Sequence, residues 1–308
     1  MILNVLDPIK YPESIKPLLQ CLHIADTYLF CVNSKVGLDK HFAETILALD
    51  LWNDGDIERG IIALTAADQG FDPAIEERVR KVIRTTRLAK TEIIRTSKND
   101  SHSVVSLKEK MFALANKTQR VRTDAPLEVW IDAAFPVQGV GTVILGKIMA
   151  GHLQRGMTVK LMPSRKNVVV RSIQLNDVDE KEASAGSHIG LALKGISPEE
   201  AWRGSVLVDP DDNLDNFDKG DLSITLNKYS SEIVPEMKFH LAYGLEFLPV
   251  TITEVRNRYG GSANSLSAGS AGTLGLKLER EVAKLSGVNS LLCDLNRMPR
   301  ILGKGEIR

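Results

Sequence analysis

The densest group of side chains able to do chemistry is a basic run between positions 78 and 98. This run holds eight basic residues and one acid, Glu92. The basic residues are Arg78, Arg80, Lys81, Arg84, Arg87, Lys90, Arg95 and Lys98. Cations at this density can contact the phosphates of a nucleic acid. The run is equally consistent with a solvated helix face, because Glu76 and Glu77 stand at helical spacing for ion pairs.

Other reactive side chains show no arrangement typical of catalysis or metal binding. The six histidines contain no close pair at metal-ligand spacing, and the three cysteines contain no paired ligand motif. The sequence also lacks a nucleophile-elbow motif. We therefore predict no catalytic residue and no metal site. The cysteine usage favours a reducing, cytoplasmic setting over a disulfide framework.

The length, net charge and apolar content of the chain further limit the classes of protein to which it can belong. The 308 residues suffice for two or three domains with real cores. The net charge is +0 and the pI is about 7.0, so there is no overall attraction to nucleic acid, although local patches remain open. No apolar run approaches the roughly 20 residues of a membrane helix. We expect no membrane partner and no DNA partner.

The elements that must position these residues change type along the chain. Up to about residue 120, apolar runs alternate with helical stripes, which is typical of a mostly parallel sheet covered by helices. The predicted strands are 2–6, 28–32, 61–64 and 91–94, and the predicted helices cover 15–22, 42–49, 75–83 and 104–114.

Beyond a polar linker the pattern becomes all-β. Short apolar segments separated by glycines indicate a barrel or sandwich up to about residue 208. Residues 209–219 carry five acidic side chains around a proline and are interpreted as a second junction. Further β segments follow, with a Gly-, Ser- and Asn-rich hairpin or loop at 256–272. The predicted domains are 1–121, 122–210 and 211–308.

One string of glycines in the first all-β domain is the most specific motif of the chain. Each glycine is consistent with a turn or with close approach of another backbone. The string comprises Gly139, Gly141, Thr142, Val143, Gly146, Gly151, Leu153 and Gly156. In this order it resembles the second domain of the elongation factor Tu and SelB family of translation factors. Residues 171–174 and 202–207 extend the resemblance, and residues 244–246 and 300–305 resemble the third domain of SelB more weakly.

The resemblance implies a multidomain architecture of α/β plus all-β type. We expect a P-loop-GTPase-like α/β domain, truncated at its start, followed by two β-barrels. The chain is most similar to archaeal SelB-like proteins with a degenerate nucleotide domain. In the family, one strand and one helix precede the matching region, so we expect an exposed sheet edge near the N-terminus. That edge offers a place for a protein partner or for self-association.

The resemblance also locates the family's nucleotide site in this chain. Asp7 matches the aspartate of the D-x-x-G-H motif, but the glycine is Lys10 and the histidine that positions water is Tyr11. Asp7 could instead cap the next helix, and that structural role is the one we favour. No G-x-x-x-x-G-K-S/T loop, whose amides cradle phosphates, occurs in the sequence.

The guanine-binding motif is likewise incomplete. Thr65 and Asp68 match the motif N/T-K-x-D, but its lysine is replaced by Ala66, and Ser97 stands at the family's last base-contacting serine. Asp68, like Asp7, is also interpretable as a helix cap. Since phosphoryl transfer depends on positioned charges, we expect no GTP hydrolysis. No cofactor is expected, and GTP and Mg²⁺ bind only if something completes the domain.

Three residues of the first barrel are candidates for tRNA binding by resemblance. In the family, an arginine and a glutamate follow Gly146, and the glutamate lies at the pocket for the 3′ end of aminoacyl-tRNA. Lys147 and Met149 stand there in this chain, and a thioether is a poor hydrogen-bond acceptor. Arg203 joins them from the closing string of the domain.

These observations lead to one hypothesis and two alternatives. The first is a SelB-like translation protein that binds the ribosome or tRNA without hydrolysing GTP. The second is an elongation factor GTPase completed by an upstream segment, so whether Met1 is the true start matters. The third is a scaffold or regulatory protein that borrows the architecture.

Overall fold

The computed structural model describes residues 3–52, 59–67, 72–118 and 122–308. The chain divides into two compact units. The first combines Met1–Gln119 with Asp294–Ile301, and the second combines Arg120–Cys293 with Leu302–Arg308.

The described part of the first unit contains a parallel sheet with helices in the connections. Its elements are α1 (Lys16–Ile24), β1 (Tyr28–Asn33), α2 (Lys40–Trp52), β2 (Gly60–Thr65), α3 (Pro73–Ile83), β3 (Glu92–Arg95) and α4 (Ser101–Thr118). The strand order is β1-β2-β3, with Phe30 opposite Ile62 and Ile62 opposite Ile93. The central strand β2 is buried along Gly60–Leu64, which accounts for its unbroken apolar run. Each helical stripe predicted from the sequence corresponds to one of these helices.

The predicted strand at 2–6 is wrong for residues 3–6. These residues belong to no strand, and Val5 is 78% exposed. An apolar run becomes a strand only when a neighbour supplies the ladder of hydrogen bonds. No described strand pairs with this segment. Residue 2 lies outside the described residues.

The second unit begins with a closed barrel within the continuously described range 122–308. Its strands are β4 (Glu128–Val137), β5 (Gly141–Ala150), β6 (His152–Gln154), β7 (Thr158–Met162), β8 (Lys166–Leu175), β9 (Val178–Glu180), β10 (Glu182–Ser184), β11 (His188–Lys194) and β12 (Val206–Val208). The order β11-β5-β4-β12-β7-β8 closes because β8 also pairs with β11. Its core is filled by apolar side chains that are each 0% exposed, among them Val129, Ile131, Ile144, Leu161 and Ile173.

A second closed barrel follows with the strand order β13-β16-β15-β14-β17-β18. Its strands are β13 (Asn216–Leu226), β14 (Lys238–Tyr243), β15 (Glu246–Asn257), β16 (Ala271–Ala283), β17 (Asn289–Cys293) and β18 (Ile301–Ile307). We did not predict β18 as a strand, because Gly303 and Gly305 interrupt its apolar pattern. A Cβ at these glycines would meet the carbonyl oxygens of Thr225 and Ser223 on β13. The glycines therefore permit the close approach of strands that seals the barrel.

Glu246 links the two barrels through a buried cluster. Glu246 is 5% exposed, and its carboxylate accepts hydrogen bonds from Trp202 Nε1 at 2.9 Å and from Arg280 at 2.6 Å. The guanidinium of Arg280 also lies 5.0 Å from the centroid of the Trp202 ring. Gly204 adopts φ +101°, and a Cβ there would lie 2.6 Å from the Glu246 carboxyl carbon. A glycine is therefore required beside this carboxylate.

Candidate functional site

Two of the predicted nucleotide residues, Thr65 and Ser97, lie at the carboxyl ends of parallel strands, the edge where α/β sheets bind ligands. Thr65 ends β2, and its hydroxyl donates to the Val32 carbonyl over 3.4 Å. The Thr65 carbonyl accepts from the Ser34 amide at 3.1 Å and from the Ser34 hydroxyl at 2.7 Å. The polar groups of Thr65 therefore join β1 to β2. Its assignment to guanine binding stays a prediction.

Ser97 follows β3 and is also engaged locally. Its hydroxyl accepts from the Asn99 amide at 3.1 Å, and its own amide donates to the Ser103 hydroxyl at 3.1 Å. The side chain is 4% exposed. Ala66, at the position of the family's lysine, has φ +57° in the left-handed region. Asp68 lies outside the described residues.

Asp7 is exposed and does not cap the following helix. The first residue before α1 is Ile15, and it makes no side-chain hydrogen bond to the helix. The capping role that we favoured for Asp7 is therefore wrong. The backbone carbonyl of Asp7 accepts from the Ile9 amide at 2.9 Å, which turns the chain toward Tyr11.

Tyr11, at the position of the family's water-positioning histidine, is bound to α2. Its hydroxyl donates to the His41 carbonyl at 2.9 Å and lies 2.9 Å from the Thr45 hydroxyl. Burial raises the pKa of Tyr11 to about 12, against the lowering effect of the Thr45 hydrogen bond. The phenol is therefore neutral at physiological pH and cannot accept a proton from water.

A buried ion pair holds the segment after Tyr11 in place. Glu44 of α2 is 0% exposed and Arg300 is 7% exposed, and the guanidinium Nη2 lies 2.6 Å from Glu44 Oε2. The Arg300 amide donates to Glu44 Oε1 at 2.7 Å. The same guanidinium donates to the Pro12 carbonyl at 3.0 Å and to the Glu13 carbonyl at 3.4 Å. Sequence reasoning missed this cluster, because its partners are separated by 256 residues.

The candidate tRNA-binding residues of the first barrel have different exposures. Lys147 on β5 is 4% exposed, opposite Trp130 of β4 and His188 of β11. Met149 on the same strand is half-buried. Arg203 is exposed, and its Nε lies 3.1 Å from the Asp132 carboxylate. Their role in tRNA binding stays a prediction.

Gly141 and Thr142 of the glycine string line an open cleft of about 650 Å³ in the first barrel. Thr142 donates to the Ile196 carbonyl at 2.7 Å, which fixes the wall after Gly141. Arg171 and Lys194 bring positive charge to the cleft, and Arg171 donates to the Val140 carbonyl at 2.7 Å. Residues 171–174 were cited from the sequence only for the family resemblance, and this charge was not predicted.

The basic run is partly neutralised by carboxylates. Glu76 pairs with Arg80 at 2.9 Å and with Arg95 at 3.0 Å, and these bonds lower the pKa of Glu76 against the effect of burial, the largest single contribution. Asp72 caps α3 through the Ala74 amide and pairs with Arg78 at 2.7 Å. Among the described residues of this run, four further exposed cations form no ion pair. They are Lys81, Arg84, Lys90 and Lys98.

Two negative findings concern the described residues only. None of the helices there has the length and apolar character to span a bilayer. No group of three or more His, Cys, Asp or Glu side chains there is arranged to hold a metal ion.

Comparisons with known proteins agree with this architecture. Residues 141–208 match the family model for elongation factor Tu domain 2. The selenocysteine-specific elongation factor of Methanocaldococcus jannaschii is 28% identical over 320 residues, covering 99% of this chain and 67% of that protein. The crystal structure of elongation factor SelB from Methanococcus maripaludis superposes with a TM-score of 0.82 and 26% identity, covering 96% of this chain and 68% of that one. This chain fits the elongation factor Tu/SelB family.

A further relative matches a shorter stretch of this chain. Elongation factor 1-alpha of Methanospirillum hungatei is 37% identical over 84 residues, which are 27% of this chain and 20% of that protein. The Methanococcus maripaludis SelB has also been solved with the GTP analogue GppNHp. The chain is a protein related to translation elongation factors, with an α/β domain followed by two closed barrels, as the glycine string predicted.

Proposed function

We propose that this chain is a SelB-like translation factor of the cytoplasm that binds the ribosome or tRNA without hydrolysing GTP. The barrels provide the main contact in this proposal, and the basic run at 78–98 provides a second one. One contrast carries the proposal. The barrel that contains the glycine string is closed, whereas the residues at the nucleotide-site positions of the first unit are hydrogen-bonded within the fold.

The state of Tyr11 is the strongest support for the absence of hydrolysis. A residue that positions water must face the reacting phosphate and accept or direct a proton. The Tyr11 hydroxyl is instead bonded to α2, and burial raises its pKa to about 12. Removing one positioned group from such a site costs about 100- to 1000-fold in rate.

The buried pair of Glu44 and Arg300 supports the same conclusion. A translational GTPase needs a segment that changes conformation with the nucleotide. Here Arg300 donates to the Pro12 and Glu13 carbonyls while it pairs with Glu44. Moving this segment would break a desolvated ion pair, so we expect a single conformation of residues 11–13.

The barrels support binding. The cleft beside the glycine string carries Arg171 and Lys194, and Arg203 is exposed on the same barrel. Cations of this kind contact phosphate oxygens, which supply much of the affinity of proteins for RNA. Lys81, Arg84 and Lys90 add charge on the other unit.

Binding is tested by co-sedimentation with ribosomal subunits and by gel shift with aminoacyl-tRNA, both at low salt. We expect association in at least one assay, with affinity that falls as salt rises. Absence of association in both would refute the proposal.

The contribution of the basic run is tested by a charge-removal variant. Lys81→Gln, Arg84→Gln and Lys90→Gln together should lower the slope of log affinity against log salt by about 2 to 3, if each meets one phosphate. Arg78→Gln with Arg80→Gln is the matched control from the same basic run. These two cations are already paired with Asp72 and Glu76, so the slope should change less.

Nucleotide binding separates this proposal from the elongation factor GTPase. Isothermal titration with GTP and Mg²⁺ should show no micromolar binding, and phosphate release should not exceed that of buffer. Micromolar affinity with turnover would favour the GTPase.

A further inference from the structure

Two turns at one end of the second barrel share a sequence pattern, Asn followed by a cation and Tyr, and a backbone geometry. Asn227-Lys228-Tyr229 follows β13, and Asn257-Arg258-Tyr259 follows β15. In the first turn the Asn side-chain oxygen accepts from the Tyr229 amide at 2.8 Å, and in the second it accepts from the Tyr259 amide at 2.9 Å. Each Asn carbonyl also accepts from the residue three positions on, at 3.1 Å and 2.9 Å. The same local construction is therefore built twice.

Each turn presents an exposed aromatic ring with a cation against it. Tyr229 is 55% exposed and Tyr259 is 84% exposed. Lys228 Nζ lies 5.0 Å from the centroid of the Tyr229 ring, and the Arg258 guanidinium lies 4.8 Å from that of Tyr259. Tyrosine usually gains stability by burying its ring. Two exposed rings in matching turns contribute little to the fold and suit a ligand.

The strand register brings the two turns to the same surface. Gly272 of β16 pairs with Ile224 of β13 on one side and with Asn257 of β15 on the other. The two turns therefore leave the barrel at the same end, from strands about 10 Å apart at the usual strand spacing. The Gly269 amide donates to the Asn227 carbonyl at 3.1 Å, and Ile233 bridges to Leu266. The two loops are thus hydrogen-bonded to each other rather than independent.

We propose that Tyr229 and Tyr259, each with its neighbouring cation, form a stacking platform for single-stranded RNA. The π-face of any base stacks on an aromatic ring, and the cation beside it neutralises the adjoining phosphate. Two such pairs on one surface suit successive unstacked bases better than a duplex, whose bases are not accessible to side chains in this way. The platform deepens the proposed function, because it assigns a contact to an unstacked segment of RNA.

The test measures the fluorescence anisotropy of labelled oligoadenylate and oligouridylate of about ten nucleotides, a length within the usual site size of ~4–16. Tyr229→Ala and Tyr259→Ala should each weaken binding about 5- to 150-fold, as expected for the loss of one stacked base. Tyr259→Phe keeps the ring and should bind like the unmodified chain. Val178→Ala, an exposed apolar position on the other barrel, is the control.

The cations give a second, separate readout. Lys228→Gln and Arg258→Gln should each lower the salt slope of single-strand binding by about 0.7. Wild-type affinity in both Tyr→Ala variants, failure of the unmodified chain to bind either oligonucleotide, or equal competition by duplex RNA would overturn the platform. Any of these results, combined with intact ribosome or tRNA binding, would leave the proposed function standing. Oligonucleotide binding without ribosome or tRNA binding would refute the proposed function alone.

Discussion

Arg300→Met is expected to destabilise the first unit strongly. The substitution leaves the Glu44 carboxylate, which is 0% exposed, with the Arg300 backbone amide as the remaining member of this cluster that donates to it. It also removes the donors to the Pro12 and Glu13 carbonyls. Breaking a buried ion pair by removing one partner costs about 3–5 kcal/mol. At a urea m-value of about 2 kcal/mol per molar, the midpoint should fall by about 1.5–2.5 M.

The measurement is urea unfolding followed by circular dichroism and by tryptophan fluorescence, to which Trp52 on α2 contributes from the first unit. Arg80→Met is the matched control, because Arg80 forms an ion pair with Glu76 on the protein surface. It should cost about 0.5 kcal/mol or less. The double variant Glu44→Leu with Arg300→Met should recover part of the loss, since an apolar pair removes the uncompensated charge. An Arg300→Met variant no less stable than Arg80→Met would refute this account of the cluster.

Two further predictions concern single positions. Because the folded pKa of Tyr11 is raised to about 12 from 10.0, its contribution to stability is fully present below pH 10 and is lost as the pH rises toward 12. Tyr11→Phe should therefore unfold with a shallower fall in stability over that window in alkaline denaturation, and an unchanged slope would contradict the assignment. Gly204→Ala should lower the free energy of unfolding by about 1–3 kcal/mol more than Gly195→Ala. Both glycines have φ near +100°, but only a Cβ at position 204 meets the Glu246 carboxyl group. Equal melting temperatures for the two variants would show that the contact between the added Cβ and the Glu246 carboxyl group does not destabilise the protein.

Local signals explain what could be predicted about the first unit. Helical stripes reflect a period of 3.6 residues that a single segment carries by itself, so α1 to α4 were predicted. The apolar run at 2–6 carries no comparable periodic signal, because an apolar stretch becomes a strand only beside a partner strand. The structure supplies none among the described residues. Capping by Asp7 failed for a related reason, since α1 begins nine residues later, at Lys16.

The candidate site shows a similar division. Tyr11 and Ala66 were identified as departures from the family motif, but nothing in the sequence showed that the Tyr11 hydroxyl is bonded to α2. Lys147 was proposed as a tRNA contact, and the structure places its side chain at 4% exposure. Burial depends on which strands flank β5, and that is decided by pairings with β4 and β11 across the barrel.

The sequence by itself determined the types of element, the glycine turns of the first barrel and the missing residues of the nucleotide motifs. These properties depend on backbone preference and spacing within short segments. Only the tertiary structure decided that Glu44 meets Arg300, that β18 closes the second barrel and that Tyr229 and Tyr259 share one surface. Such contacts join residues far apart in the chain, and their free energy depends on desolvation and strand register, which arise only when the segments pack together.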